Sequence, residues 1–159
     1  MRALQLWEKA GGPDGSSITH ALRPLGRLEL ATGAPRKALE HCQRALALDE
    51  RVQGVEAPDV ALDLACLAEG HLALGTPEQA APLLERARRL HASAPRDPLD
   101  EAWAAFLLAR ALGEQRASLD PARAAALAEE ARGSMEALGL RARVELRQVM
   151  AWQRRGEAP

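Results

Sequence analysis

Residues 73–87, ALGTPEQAAPLLERA, repeat the punctuation of residues 31–45, ATGAPRKALEHCQRA, at an offset of 42, and that repetition decides the fold. Gly33 falls on Gly75, Pro35 on Pro77, Ala38 on Ala80, Arg44 on Arg86 and Ala45 on Ala87. The same shift carries Ala3 onto Ala45, Leu6 onto Leu48, Gly12 onto Gly54, Leu22 onto Leu64 and Leu25 onto Leu67. Alanine and leucine are common enough to coincide by chance, whereas glycine and proline are not. Further along, Ala80, Leu83 and Ala87 reappear as Ala124, Leu127 and Ala131 at an offset of 44, and Leu74-Gly75 as Leu112-Gly113 at an offset of 38. The difference places an insertion of about six residues at Glu114–Leu119.

Each unit reads as two helices. Helix formers dominate the apolar fraction, Phe106 is the single phenylalanine and there is no tyrosine, so strands are disfavoured and an all-α chain is expected. Thr76-Pro77-Glu78-Gln79 reads as a capping box, Asp97-Pro98 and Asp120-Pro121 read as helix starts, and Gly33, Gly75 and Gly113 as stops. Helices are predicted near 2–10, 17–32, 35–52, 59–74, 77–93, 99–113, 121–138 and 141–155. Short connections make consecutive helices antiparallel neighbours. Alanines 38 and 45, 80 and 87, and 124 and 131 are each seven apart, on one helical face where backbones can approach closely.

These residues resemble a tetratricopeptide repeat. The family pattern of a large residue, Leu-Gly, an aromatic, then Ala-x3-Phe and Ala stands as Leu22, Leu25-Gly26, Glu29, Ala38, Cys42 and Ala45 in one unit. In the next it stands as Leu64, Leu67-Ala68, His71, Ala80, Leu84 and Ala87. The usual aromatics are replaced, and the third unit, with Ala102, Ala105 and Phe106, departs furthest. The 42-residue spacing and the Gly54–Asp59 linker resemble the kinesin-light-chain subclass.

The resemblance implies a right-handed α-α superhelix of antiparallel helix pairs. Its parts are a partial repeat helix at 1–12, repeats at 17–52, 59–93 and 98–139, and a capping helix at 140–156. In that cap Ala142, Leu146, Val149 and Met150 are expected to cover the third unit while arginines face water. Segments 104–113, 126–132 and 149–152 also resemble the C-terminal tails of myxobacterial-type serine/threonine protein kinases, and the chain begins inside a second helix, as a fragment of a longer polypeptide would. An N-terminal apolar face of Leu4, Leu6 and Trp7 is expected to meet a missing upstream helix or a second copy of the chain.

The resemblance also places a partner-binding groove along the first helices of successive units. His20, Arg23 and Arg27 come from the first unit, Leu62, Ala65, Cys66 and Glu69 from the second, and Trp103, Leu107 and Arg110 from the third. The bland alternative is that the arginines are solvated and Trp103 is core. Arg23 and Arg27 stand where some members carry a Lys-x-x-x-Asn clamp for a carboxylate, so an anionic group is the expected ligand chemistry, without the amide that would specify a chain terminus.

Catalytic signatures are absent from the sequence: there is no glycine-rich kinase loop, H-R-D, D-F-G, Walker loop or G-x-S-x-G elbow. His20, His41, His71 and His91 lack ligand partners at helical spacing, and His71 reads as a packed histidine. Cys42 and Cys66 read as small buried hydrophobes without a disulfide framework, which favours the cytoplasm. Asp49-Glu50, Asp100-Glu101 and Glu129-Glu130 read as solvated pairs. A net charge of −1 gives no basic surface for nucleic acid, and no apolar run reaches membrane-spanning length. The sequence therefore points to a non-enzymatic domain without cofactor or metal, holding a protein or peptide and neither nucleic acid nor membrane. A sensor that takes a small molecule or peptide and controls an attached effector is the competing reading.

Overall fold

The computed structural model describes residues 16–94, 97–114 and 120–156. Within them the elements are α1 (Ser16–Ala31), α2 (Pro35–Gln53), α3 (Pro58–Ala73), α4 (Pro77–Ser93), α5 (Pro98–Gly113), α6 (Pro121–Leu138), a 3-10 turn (Gly139–Ala142) and α7 (Arg143–Gly156). No strand occurs among the described residues. The helix expected near 2–10, its open apolar face and any contact with a second copy there lie outside the described residues. So does the expected insertion beyond Glu114.

Proline opens each of α2 to α6, where the N–H it lacks would have had no helical partner. Asp97 and Asp120 cap as expected, their carboxylates accepting from the N–H of Leu99 at 3.0 Å and of Arg123 at 2.8 Å. Thr76 does not form the expected capping box. Its hydroxyl turns back and donates to the His71 carbonyl at 3.0 Å, which closes α3 instead of opening α4. The two interhelical turns are built alike: Ala34 N–H donates to Glu29 O at 2.7 Å and Thr76 N–H to His71 O at 3.0 Å, with Gly33 and Gly75 at φ 77° and 72°. Gly113 has no such role. It ends α5 without positive φ, and a β-carbon there would stand 2.8 Å from the Trp152 ring, so its smallness lets α7 approach.

Consecutive helices pack as antiparallel neighbours, and α1, α3 and α5 also touch one another as a continuous inner row. Together these contacts make an all-α solenoid of helix pairs. The paired alanines 38, 45, 80, 87, 124 and 131 are all buried, at most 3% exposed. Flanked on both sides, α3 and α5 are apolar almost all round, and Phe106, Leu107, Leu108, Leu64 and Leu84 fill the space between layers. The outer helices are laced by exposed ion pairs, Glu50 with Arg86 at 2.7 Å and Glu85 with Arg123 at 2.6 Å, which contribute little stability individually.

The C-terminal helix caps the stack largely as expected. Ala142 and Val149 are fully buried, and Leu146 and Trp152 join the same core, Trp152 meeting Phe106 edge-on at 6.1 Å. Met150 does not cover the third unit; it is exposed, because Trp152 takes the inward direction. Arg141 reaches back to the Asp97 carboxylate, and Arg143, Arg147, Arg154 and Arg155 face solvent. No described helix is long and apolar enough to cross a membrane.

The largest departure from expectation is Cys42–Cys66, which forms a disulfide joining α2 to α3. The two positions face each other across a helix interface, with Cα atoms 5.7 Å apart, a relation that no spacing along the chain displays. A closure spanning 24 residues stabilises by about 3.5 kcal/mol on the chain-entropy account. Gly26 of α1 lies directly on it: a β-carbon there would sit 2.6 Å from Cys42 Sγ and 3.1 Å from Cys66 Sγ.

Two glycine substitutions separate these roles. Gly133→Ala, at an open position inside α6, raises stability by about 0.5–1 kcal/mol, because a helical glycine forgoes that much relative to alanine. Gly26→Ala lowers it by about 1–3 kcal/mol, because sulfurs bonded to two helices cannot step aside. Thermal or urea denaturation of the two variants reads out both signs, and equal behaviour refutes this account of Gly26.

Candidate binding groove

The inner row curves around a cavity of about 500 Å³. α1 contributes His20, Arg23, Pro24 and Arg27, α3 contributes Leu62, Ala65, Cys66 and Glu69, and α5 contributes Asp100 and Trp103. Side chains reach one cavity from three helices because residues three, four or seven apart share a helical face.

Of the residues singled out from sequence, His20, Arg23, Arg27, Leu62, Ala65, Cys66, Glu69 and Trp103 therefore lie together. Leu107 does not: it is fully buried in the core, because α5 is covered on the side that Leu107 faces. Arg110 lies outside the lining and pairs with Glu114 at 3.1 Å, although its charge still reaches Glu69. The lining adds Pro24, which the sequence does not single out, and Asp100, which in sequence reads as half of a solvated pair. Asp100 stands three positions before Trp103 on the same helical face, a spacing that could have revealed it.

The charges of the groove are arranged otherwise than a row of arginines suggests. Arg23 turns away into a carboxylate cluster, its guanidinium 3.4 Å from Asp63 and 3.7 Å from Asp59. Asp63 is completely buried, and Asp49, expected to be solvated, is buried beside it at 1% exposure with Gln53 donating to it at 3.0 Å. Burial pushes the Asp63 carboxyl up to about 8 despite Arg23, and the neighbouring Asp49 and Asp59 push it the same way. Arg27, exposed at the rim, faces Glu145 of α7 at 3.9 Å.

Glu69 and Asp100 face the cavity with no ion-pair partner within 4 Å among the described residues. Burial raises the Glu69 carboxyl above the ordinary range, opposed by Arg27, by the Trp103 indole and by Arg110, and reinforced by Glu145. Burial also raises Asp100, with Asp97 adding to the effect and His91, Arg27 and Arg23 opposing it. The indole N–H of Trp103 leans on the Glu69 carboxylate without reaching hydrogen-bond geometry, so this buried donor has no partner. The remaining signature substitutions are structural. Glu29 accepts from His41 Nδ1 at 2.8 Å, and His71 sits 3.2 Å from the Thr76 hydroxyl, its pKa lowered by burial. Among the described residues no group of His, Cys, Asp and Glu could hold a metal ion.

A family model described as Tetratricopeptide repeat matches residues 17–91, which span α1 to α4. No curated protein matches the chain. The match supports a tetratricopeptide repeat domain, and such repeats generally serve as non-catalytic scaffolds that bind protein partners.

The buried Asp63 makes stability pH-dependent with a definite sign. Burial raises its folded-state carboxyl from the ordinary 3.8 to about 8, so the fold favours the protonated acid. That contribution is complete below about pH 4 and is lost as pH rises through about 8. Asp63→Asn mimics the protonated form, so its melting temperature exceeds that of the wild type by at least about 2 °C at pH 8.5, and the gap closes toward pH 5. A gap that does not depend on pH shows instead that Asp63 is ionised against Arg23.

Proposed function

We propose that this chain is a scaffold that holds a protein or peptide partner in the concave groove of α1, α3 and α5, with no chemistry of its own. His20, Arg23, Arg27, Glu69 and Trp103 are the residues through which it acts. The observation that carries this reading is the convergence of side chains from three successive first helices on one cavity of about 500 Å³. Burial supplies the rest. Trp103, 9% exposed, offers a rigid apolar wall, and the cavity's edges carry charged groups that fix orientation. The C-terminal helix bounds the groove, since Glu145 stands opposite Arg27.

The cavity volume also favours a second reading, a sensor for a small ligand, because sites for such ligands typically span about 300–1,000 Å³. A thermal-shift screen distinguishes the two: a compound that raises the melting temperature in step with ligand excess supports the sensor. Attachment to a serine/threonine protein kinase, as a regulatory tail, belongs to the same proposal. Its support is the resemblance of segments 104–113, 126–132 and 149–152, and an upstream reading frame without kinase motifs removes it.

Peptides selected from a random display library on the immobilised chain test the groove. Trp103→Phe combined with Glu69→Gln is expected to weaken the selected peptides about tenfold or more, while Arg88→Ala on the outer helix α4 leaves them unchanged. Equal binding to all three proteins removes the groove from the proposal.

A further inference from the structure

The sign of the groove is the reverse of what its arginines imply. Arg23 is engaged by Asp59 and Asp63, and Arg27 faces Glu145. With Glu69 and Asp100 added, two guanidinium groups meet five carboxyl groups, a formal excess of three negative charges around one cavity. Should Asp63 keep its proton, two remain. Such a cavity repels an added anion, and its two unengaged charged groups are both acids.

Two further observations concern hydrogen bonding. Pro24, inside α1, has no N–H, so the carbonyl of His20 lacks its helical donor, and both residues line the cavity. This leaves an acceptor on the wall that α1 contributes. On the α5 wall the Trp103 N–H is a donor without a partner on a side chain nine-tenths buried. A ligand that offers several N–H donors with positive charge, together with one carbonyl acceptor, answers all of these. A basic amino-acid residue within a peptide has that composition.

We infer that the cavity takes the ammonium or guanidinium of a lysine or arginine side chain in a bound peptide, held by Glu69 and Asp100 against the face of Trp103. The inference rests on the groove being the partner site and adds the chemistry of its ligand. The partner is thereby a basic segment and not an acidic one. The indole contributes by attracting a cation over its ring, and the two carboxyls by charge-assisted hydrogen bonds. Arg27 acts against binding: as a like charge at the rim, it selects for a side chain long enough to pass it.

Two blocked tripeptides, acetyl-Ala-Arg-Ala-amide and acetyl-Ala-Glu-Ala-amide, are titrated against the full chain while two-dimensional nuclear magnetic resonance follows the Trp103 indole N–H, assigned with Trp103→Phe. The arginine peptide is expected to move that signal saturably and the glutamate peptide to leave it in place. Glu69→Gln with Asp100→Asn is expected to weaken the arginine peptide at least tenfold. Arg27→Ala, an exposed substitution that leaves the core intact, is expected to tighten it about threefold or more. Stronger binding of the glutamate peptide, or weaker binding of the arginine peptide to Arg27→Ala, overturns the cationic assignment while leaving the groove as the site. If neither tripeptide moves the Trp103 signal, the cationic assignment falls; if display-selected peptides also bind without moving it, the groove reading falls with it.

Discussion

Close approach of helix backbones through alanine and glycine is the constraint on which the remaining structure depends. Ala38, Ala45, Ala80, Ala87, Ala124 and Ala131 are buried where α2, α4 and α6 meet their neighbours, and Gly26 lies on the disulfide between α2 and α3. A larger residue at any of them would push a helix outward. Close packing on that side lets Leu22, Leu64, Leu84 and Phe106 fill the space between layers, and it brings α1, α3 and α5 together as one inner row. The cavity exists because that row is continuous.

Charge follows from the same geometry. Where helices close over polar side chains, carboxyls are held in low-dielectric surroundings, and burial is the largest influence on Asp63, Glu69 and Asp100. Arginines, with longer and more flexible stems, reach across interfaces to whichever carboxylate lies near, as Arg23 does to Asp59 and Asp63 and Arg141 to Asp97. The groove thus spends its positive charge on the scaffold, and its acids are left facing the cavity. A chain of nearly balanced composition acquires a local field that its net charge of −1 does not express.

Helix positions were legible before any coordinates, because glycine and proline recur at fixed offsets and each has a backbone reason to stand where it does. Eight groove residues were legible for a related cause: repeats place equivalent side chains on equivalent faces. Leu107 was misread because α5 is covered on more than one side, so a position that is equivalent in register is core in fact. Asp49 and Asp100 were misread because adjacent acids on a helix resemble a solvated surface until a neighbouring helix covers one of them. The capping box at Thr76 failed because a hydroxyl between two helices can serve either one, and here it serves the one before.

The sequence by itself determined the all-helical repeat, its punctuation, the alanine seams and the capping role of the last helix, since periodicity and local backbone preference suffice for these. Only the tertiary structure decided the Cys42–Cys66 bond, the burial of Asp63, the engagement of Arg23 and the company that Trp103 keeps with Glu69 and Asp100. Each of these depends on distances between helices. Such distances are set by how side chains interlock across an interface, and no single helix's pattern contains them.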